Sequence, residues 1–153
     1  MLAAIRIRGL VNVPRKIKDT LYLLRLRRKH VLVLLDETKQ VLGMLEKVKS
    51  RVAWGKINKE TLELLLEKRA RKKGNKRLSK EEVTYVVKTL EEADKAKEVS
   101  KALKRLNKEL DLKPFFRLAP PRKGFKKSIK LPWPQGMLGN QGEAINELIA
   151  RMC

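Results

Sequence analysis

Val31-Leu32-Val33-Leu34-Leu35 is an unbroken apolar run, matched in length only by Met1 to Ile5, and its β-branched character suits a central strand closed by Asp36 and Glu37. Upstream, the basic turn Arg27-Arg28-Lys29-His30 separates it from Ile17, Leu21 and Leu24, whose helical spacing after Pro14 predicts an amphipathic helix to about Leu26. Further upstream, Leu2 to Arg8 alternates aliphatic and basic residues (Ile5, Arg6, Ile7, Arg8). This is the period-2 pattern of a strand with one face in the core and one carrying cations, ended by Gly9. Downstream, Val41, Met44, Leu45 and Val48 predict a short helix despite Gly43, and Val52, Trp54 and Ile57 a third strand. The first 57 or so residues therefore read β-α-β-α-β, an α+β plan.

The middle of the chain is helical. Asn58 is a suitable N-cap for a helix carrying Leu62, Leu65 and Leu66, and Ser79-Lys80-Glu81-Glu82 is a capping box opening another. Between them Lys68, Arg69, Arg71, Lys72, Lys73, Lys76 and Arg77 form an acid-free linker, expected to stay extended by self-repulsion unless a partner neutralises it. A third helical stripe, Val99, Leu103, Leu106 and Leu110, should dock on the rest of the fold. From Leu112 to Gly142 there is no acid. Lys113 to Leu118 reads as a short strand, and Pro120 to Lys130 as a basic loop whose order comes from its partner. Asn140 to Glu143 is a second capping box, opening a last helix from about Gln141 to Met152 with Ile145, Leu148, Ile149 and Met152 on one face.

The 153 residues include 38 Lys and Arg against 17 Asp and Glu, a net charge of +21, which is the balance of a polyanion binder. At 42% hydrophobic residues the chain can still bury about two-thirds of its unfolded surface as one unit, so wholesale disorder is excluded. No apolar run approaches the roughly 20 residues of a membrane span, and Met1 to Ile5 has no basic segment before it, so a cytosolic protein is expected. One cysteine, Cys153, permits neither an internal disulfide nor a thiolate zinc site.

Clustered cations next to an acid-free segment point to phosphate neutralisation and counterion release. With aromatic residues at 5% and no single-strand reading motif, a reader of the shape and phosphates of folded RNA fits better than a base-specific one. Trp54, Phe115, Phe116, Phe125 and Trp133 are the aromatic candidates for stacking on a base; of these Trp54 and Phe116 are assigned to the core, while Phe125 and Trp133 are balanced between core and stacking. His30, the only histidine, has neither the neighbours for acid–base chemistry nor a metal-ligand set around it, and Asp36-Glu37 and Glu91-Glu92 have no third ligand at a useful spacing. No enzyme activity, metal, cofactor, small-molecule substrate or membrane partner is expected. A basic architectural protein coating duplex DNA is the alternative that the same charge permits.

Several marks along the chain, taken in order, carry a family resemblance. They are Ile5-Arg6-Ile7-Arg8-Gly9 with Asn12-Val13, Asp19-Thr20-Leu21, and Leu24-Arg25-Leu26-Arg27-Arg28-Lys29-His30. Then follow Gly43-Met44-Leu45, Lys47-Val48, Val52-Ala53-Trp54-Gly55-Lys56-Ile57, Phe116-Arg117-Leu118-Ala119-Pro120-Pro121-Arg122, Gly139-Asn140, Ile145-Asn146-Glu147-Leu148-Ile149 and Arg151-Met152. The chain resembles the archaeal and eukaryotic form of the large-subunit ribosomal protein numbered thirty in bacteria and seven in eukaryotes. The resemblance implies a βαβαβ core with a three-stranded antiparallel sheet in order 3-1-2, a helical insertion and a basic C-terminal extension. It also implies a non-catalytic structural role in the large ribosomal subunit, binding folded rRNA close to the 5S RNA, itself a candidate partner, beside neighbouring ribosomal proteins.

The expected organisation is a core over 1–58, a helical extension with its basic linker over 59–112, and a basic RNA-binding loop with a C-terminal helix over 113–153, all in one compact unit. Expected RNA contacts are Arg8, Asn12, Arg15 and Lys16 after the first strand, Arg27, Arg28, Lys29 and His30 before the second, and Lys47, Arg51 and Lys56 around the third. Arg117, Arg122, Lys123, Gly124, Lys126, Lys127, Lys130 and Asn140 complete the set. Lys123 stands at the first of two positions that relatives often give to glycine after Pro-Pro-Arg, so a tight glycine turn does not carry over.

Overall fold

A computed structural model describes residues 1–95 and 98–153. The strands are β1 (Leu2–Arg6), β2 (Val31–Leu35), β3 (Val52–Lys56), β4 (Phe116–Arg117), β5 (Ser128–Pro132) and β6 (Gly136–Asn140). The helices are α1 (Arg15–Leu23), α2 (Lys39–Lys47), α3 (Lys59–Arg69), α4 (Lys80–Lys95), α5 (Val99–Leu110) and α6 (Ile145–Met152). The class is α+β, and among the described residues no helix is long and apolar enough to cross a membrane.

The expected 3-1-2 arrangement forms the centre of the sheet, with β1 antiparallel to both β2 and β3. The sheet itself has six strands, in the order β4-β2-β1-β3-β6-β5, and not three. A three-stranded core would leave the main-chain groups of β2 and β3 bare at its edges. Here β4 pairs antiparallel with β2, with Val31 opposite Arg117, and β6 runs parallel to β3, with Trp54 opposite Asn140. β5 lies beyond β6, with Ser128 opposite Gly136 and Pro132 opposite Leu138.

Period-2 side-chain placement divides the central strands between two apolar layers. Leu2, Ala4, Val31, Val33, Val52 and Trp54 pack with Leu21 and Leu24 at α1 and Leu45 and Val48 at α2. Ala3, Ile5, Leu32, Leu34 and Ala53 face the helical extension, where Leu62, Leu66, Val86, Leu90, Leu106 and Ile149 cover them. At Gly55 a Cβ would lie 2.0 Å from the Gly142 carbonyl oxygen, so only glycine lets the turn before α6 approach β3 this closely. Trp54 and Phe116 are core residues, as expected.

The alternation in β1 does not put cations on a solvent face. Both faces are covered, and Arg6 is only 3% exposed. Its Nε donates to the Arg8 carbonyl at 3.0 Å, and its Nη1 donates to the Leu26 and Arg27 carbonyls at 3.1 and 2.6 Å. Burial, and then the charge of Arg51, pull its pKa below the usual arginine value.

The linker after α3 folds back instead of extending. Lys73 N–H donates to the Asp111 carbonyl and Lys113 N–H to the Arg71 carbonyl, both at 3.0 Å, while Lys72 pairs with Glu82. The Ser79–Glu82 capping box forms reciprocally, at 3.0 and 3.3 Å. At the last helix, a 3-10 turn over Gly142–Ala144 precedes α6, because the Asn140 Oδ1 accepts the Gly142 N–H at 3.0 Å and closes a local turn.

The loop after Pro120 is ordered by the protein itself. The Arg122 N–H donates to the Arg151 carbonyl at 3.0 Å, the Arg151 guanidinium returns to the Arg122 carbonyl at 2.9 Å, and Lys126 pairs with Glu147. A tight turn also forms. Lys123 (φ 61°) and Gly124 (φ 72°) are both left-handed, and the Gly124 N–H donates to the Pro121 carbonyl at 3.0 Å. Lysine therefore occupies a conformation that glycine adopts at lower cost.

Two stability changes follow from these positions. Arg6→Met orphans buried carbonyls and should cost roughly 2–4 kcal/mol, measured as a lowered urea midpoint; an unchanged midpoint would contradict the bracing role of Arg6. Lys123→Gly should instead gain about 0.5–1 kcal/mol in the same titration by relieving the left-handed backbone, and a loss would show the turn to be unstrained.

Candidate nucleic-acid interface

Strand direction decides where the cations gather. Arg6 lies opposite Val52 and Ile5 opposite Leu32, so the end of β1 and the starts of β2 and β3 share one end of the sheet. The connections there carry Arg8, Arg27, Arg28, Lys29, His30 and Arg51, and Lys47 ends the helix that returns to β3. Arg117 joins them because β4 is antiparallel to β2. The Ile7 and Arg8 N–H groups both donate to the Arg51 carbonyl, at 2.9 and 3.2 Å, which fixes the two connections to each other.

Two clefts open at this end. The larger, about 400 Å³, is lined by Arg25, Arg27, Arg28, Val31, Pro114, Phe115 and Arg117. Its neighbour, about 210 Å³, is lined by Arg69, Arg71, Asn75, Lys113, Phe115 and Arg117. Phe115 and Arg117 form the wall between them, and among the described residues no carboxylate lines either cleft. Arg27 lies over the Tyr22 ring, with its Cζ 4.1 Å from the centroid, and Arg117 lies 5.8 Å from the Phe115 centroid. The pKa values of Arg51 and Arg71 are pulled down by burial first and then by neighbouring arginines, Arg8 for the former and Arg77 and Arg69 for the latter. Such like-charge crowding costs energy that an arriving phosphate would relieve.

The C-terminal loop meets the same end through His30. The Leu118 N–H donates to the His30 carbonyl at 2.9 Å, and the His30 and Phe125 rings lie 6.3 Å apart. Burial, with Lys29 second, lowers the His30 pKa, so the ring is neutral at neutral pH. Arg122, Lys123, Gly124 and Lys130 are exposed. Lys126 is engaged with Glu147, and Lys127 donates to the Pro134 carbonyl at 2.7 Å while lying 3.9 Å from the Trp133 centroid.

Other expected contacts lie apart. Lys56 is at the opposite end of the sheet, paired with Glu37 at 3.5 Å. Asn140 spends its side-chain oxygen on its own turn. Asn12, by contrast, is exposed on the β1–α1 connection that leaves the basic end beside Arg8, and Arg15 and Lys16 are exposed in the first turn of α1, where Arg15 stands 4.0 Å from Asp19.

The sequence reading missed Arg25 as part of this surface and Arg6 as the buried brace behind it, and it named Phe115 only as one of five aromatic candidates for stacking. Arg25 sits in the run Leu24-Arg25-Leu26-Arg27, whose alternation of apolar and basic residues was the available signal. For Arg6 no such signal existed, since its alternation fits exposure equally well. Among the described residues no group of His, Cys, Asp and Glu is placed to hold a metal ion.

Residues 2–52, from β1 to the first residue of β3, match the family profile described as ribosomal protein L30p/L7e. Nearly the whole chain is similar to the large ribosomal subunit protein uL30 of Archaeoglobus fulgidus, at 49% identity over 99% of each chain. It is 43% identical to that of Nanoarchaeum equitans, over 99% of this chain and 97% of the relative. Against that of Methanopyrus kandleri it is 41% identical, over 95% of this chain and 99% of the relative. The chain therefore belongs to the ribosomal protein L30p/L7e family, whose members are structural ribosomal proteins and not enzymes.

Proposed function

We propose that this chain is a structural constituent of the large ribosomal subunit that binds and holds folded large-subunit rRNA close to the 5S RNA, packed beside neighbouring ribosomal proteins. The observation that carries this reading is the paired cleft at the basic end of the sheet, lined by arginines from three separated segments and by no carboxylate among the described residues. Arginine forks suit bidentate phosphate contacts, while the exposed lysines of the neighbouring loops supply diffuse neutralisation. The Arg122 to Lys130 loop, held against α6 and His30, extends this surface to a second RNA segment. The chain acts as a rigid wedge between converging RNA helices, with the surrounding phosphates taking the place of the missing carboxylates.

Binding of the purified chain to folded large-subunit rRNA, measured against salt, tests the reading. Substituting Arg25, Arg27 and Arg117 together by Ala should flatten the log–log salt dependence by about 2–3, at roughly 0.7–0.9 for each lost phosphate contact. An unchanged slope would remove the clefts from the interface. Displacement of the RNA by any DNA duplex with equal ease would favour a DNA-coating protein, and preference for rRNA with 5S RNA over rRNA alone would support the placement near 5S.

A further inference from the structure

We infer that Phe115 is a stacking platform for one unpaired base of the bound RNA, with the guanidiniums of Arg25, Arg27 and Arg28 on one side, Arg69 and Arg71 on the other and Arg117 on the shared wall holding the flanking phosphates. The inference rests on the RNA-binding reading above and names the nucleic-acid feature that the surface takes.

Successive residues of an extended segment point to opposite faces. Phe116 goes inward and is fully buried in the core that the extension covers. Phe115 goes the other way and is only half-buried, at the margin of the α1 and α2 layer. A ring serving as filler alone would be sealed by apolar neighbours. The open border of Phe115 is made chiefly of cations, since it forms the wall shared by both clefts.

Folded RNA presents splayed bases at bulges and loops, and any base can stack on an aromatic face while its backbone runs through a cationic groove. The two clefts supply that groove on either side of the ring. The rings of Trp133 and Tyr22 carry a cation closely, Lys127 at 3.9 Å and Arg27 at 4.1 Å from their centroids, whereas Arg117 stands farther from the Phe115 ring, at 5.8 Å, and Phe125 packs against the core and His30. The acid-free lining favours a polyanion over an acidic or neutral peptide, because a peptide would leave most of these charges unpaired.

The linker between α3 and α4 also gains a role from this geometry. Arg69 and Arg71 sit beside Phe115 because the chain after α3 folds back onto residues 111–113. The Arg69 Nη2 donates to the Cys153 carbonyl at 2.9 Å, which fixes that guanidinium beside the smaller cleft.

The test titrates the full chain, as wild type, Phe115→Leu and Phe115→Trp, against a folded large-subunit rRNA fragment across a range of salt. Phe115→Leu keeps an apolar side chain and all the cations, so affinity should fall about 5- to 150-fold with the salt slope unchanged. Phe115→Trp should retain wild-type affinity. Equal binding by Phe115→Leu and wild type overturns the inference while leaving RNA binding intact. Ultraviolet cross-linking of the unmodified complex guards against misfolded variants. A cross-link between the Phe115 peptide and a nucleotide supports the platform, whereas cross-links elsewhere on the chain with none at this peptide overturn it. No salt-dependent binding of wild type to rRNA overturns the RNA-binding reading and the platform together.

Discussion

The interface depends on one buried cation. The Arg6 guanidinium has no carboxylate partner among the described residues; it is met by the carbonyls of Arg8, Leu26 and Arg27. Those carbonyls belong to the connections whose side chains form the basic end of the sheet. Turning the carbonyls inward, toward Arg6, leaves Arg27 and its neighbours pointing outward. It also helps hold Arg25 and His30 in left-handed backbone, at φ 61° and 60°, each a cost of about 1 kcal/mol or more that charge-assisted hydrogen bonds offset. The same loop is clasped from both sides, since the His30 N–H donates to the Arg6 carbonyl and its carbonyl accepts from Leu118. Core strand, basic loop and extension are thus one mechanical unit.

The carboxylates make the complementary statement. Glu37, Glu82, Glu91, Glu98 and Glu147 are all engaged with lysines outside the two clefts. As exposed or half-exposed pairs they contribute little stability individually. Their position matters more than their strength, because acids placed at the basic end would compete with phosphates for the same arginines. Keeping carboxylates out of both cleft linings leaves the cleft arginines without an acidic partner, as donors to a polyanion.

The central strands and the six helices were largely legible because each writes its own period: an apolar run at Val31–Leu35, alternation at Ile5–Arg8, and 3-4 spacing in α1, α2 and α5. The outer strands were not. β5 is Ser-Ile-Lys-Leu-Pro, exposed throughout, and β6 contains two glycines and an asparagine, so neither has the composition of a strand. β6 exists because β3 has an open edge, which is a tertiary cause invisible in a local window. The same limit hid Arg6, since alternation gives the face of a side chain but not what covers that face. At the candidate site, sequence located the charge-bearing loops but not their convergence. Arg117, Arg69 and Arg27 become neighbours only through strand pairing and the fold-back at residues 111–113.

The extension does more than add charge. The family profile covers β1 to the start of β3, yet one whole face of that core, with Ala3, Ile5, Leu32, Leu34 and Ala53, is covered by α3 to α6. Both open edges of the three central strands are also taken by extension strands. In this chain the extension therefore stabilises the core, gives Pro114, Phe115 and Arg117 to the larger cleft and lines the smaller one by itself. That coupling has an energetic consequence for recognition. The C-terminal loop is already held by Arg151, Glu147 and the His30 carbonyl, so binding the proposed RNA partner would cost less ordering entropy than for a loop that orders only on its partner. Much of that entropy has been lost on folding, offset by apolar burial of α6 against β3 and α3. More of the electrostatic gain at the basic end is then available as affinity.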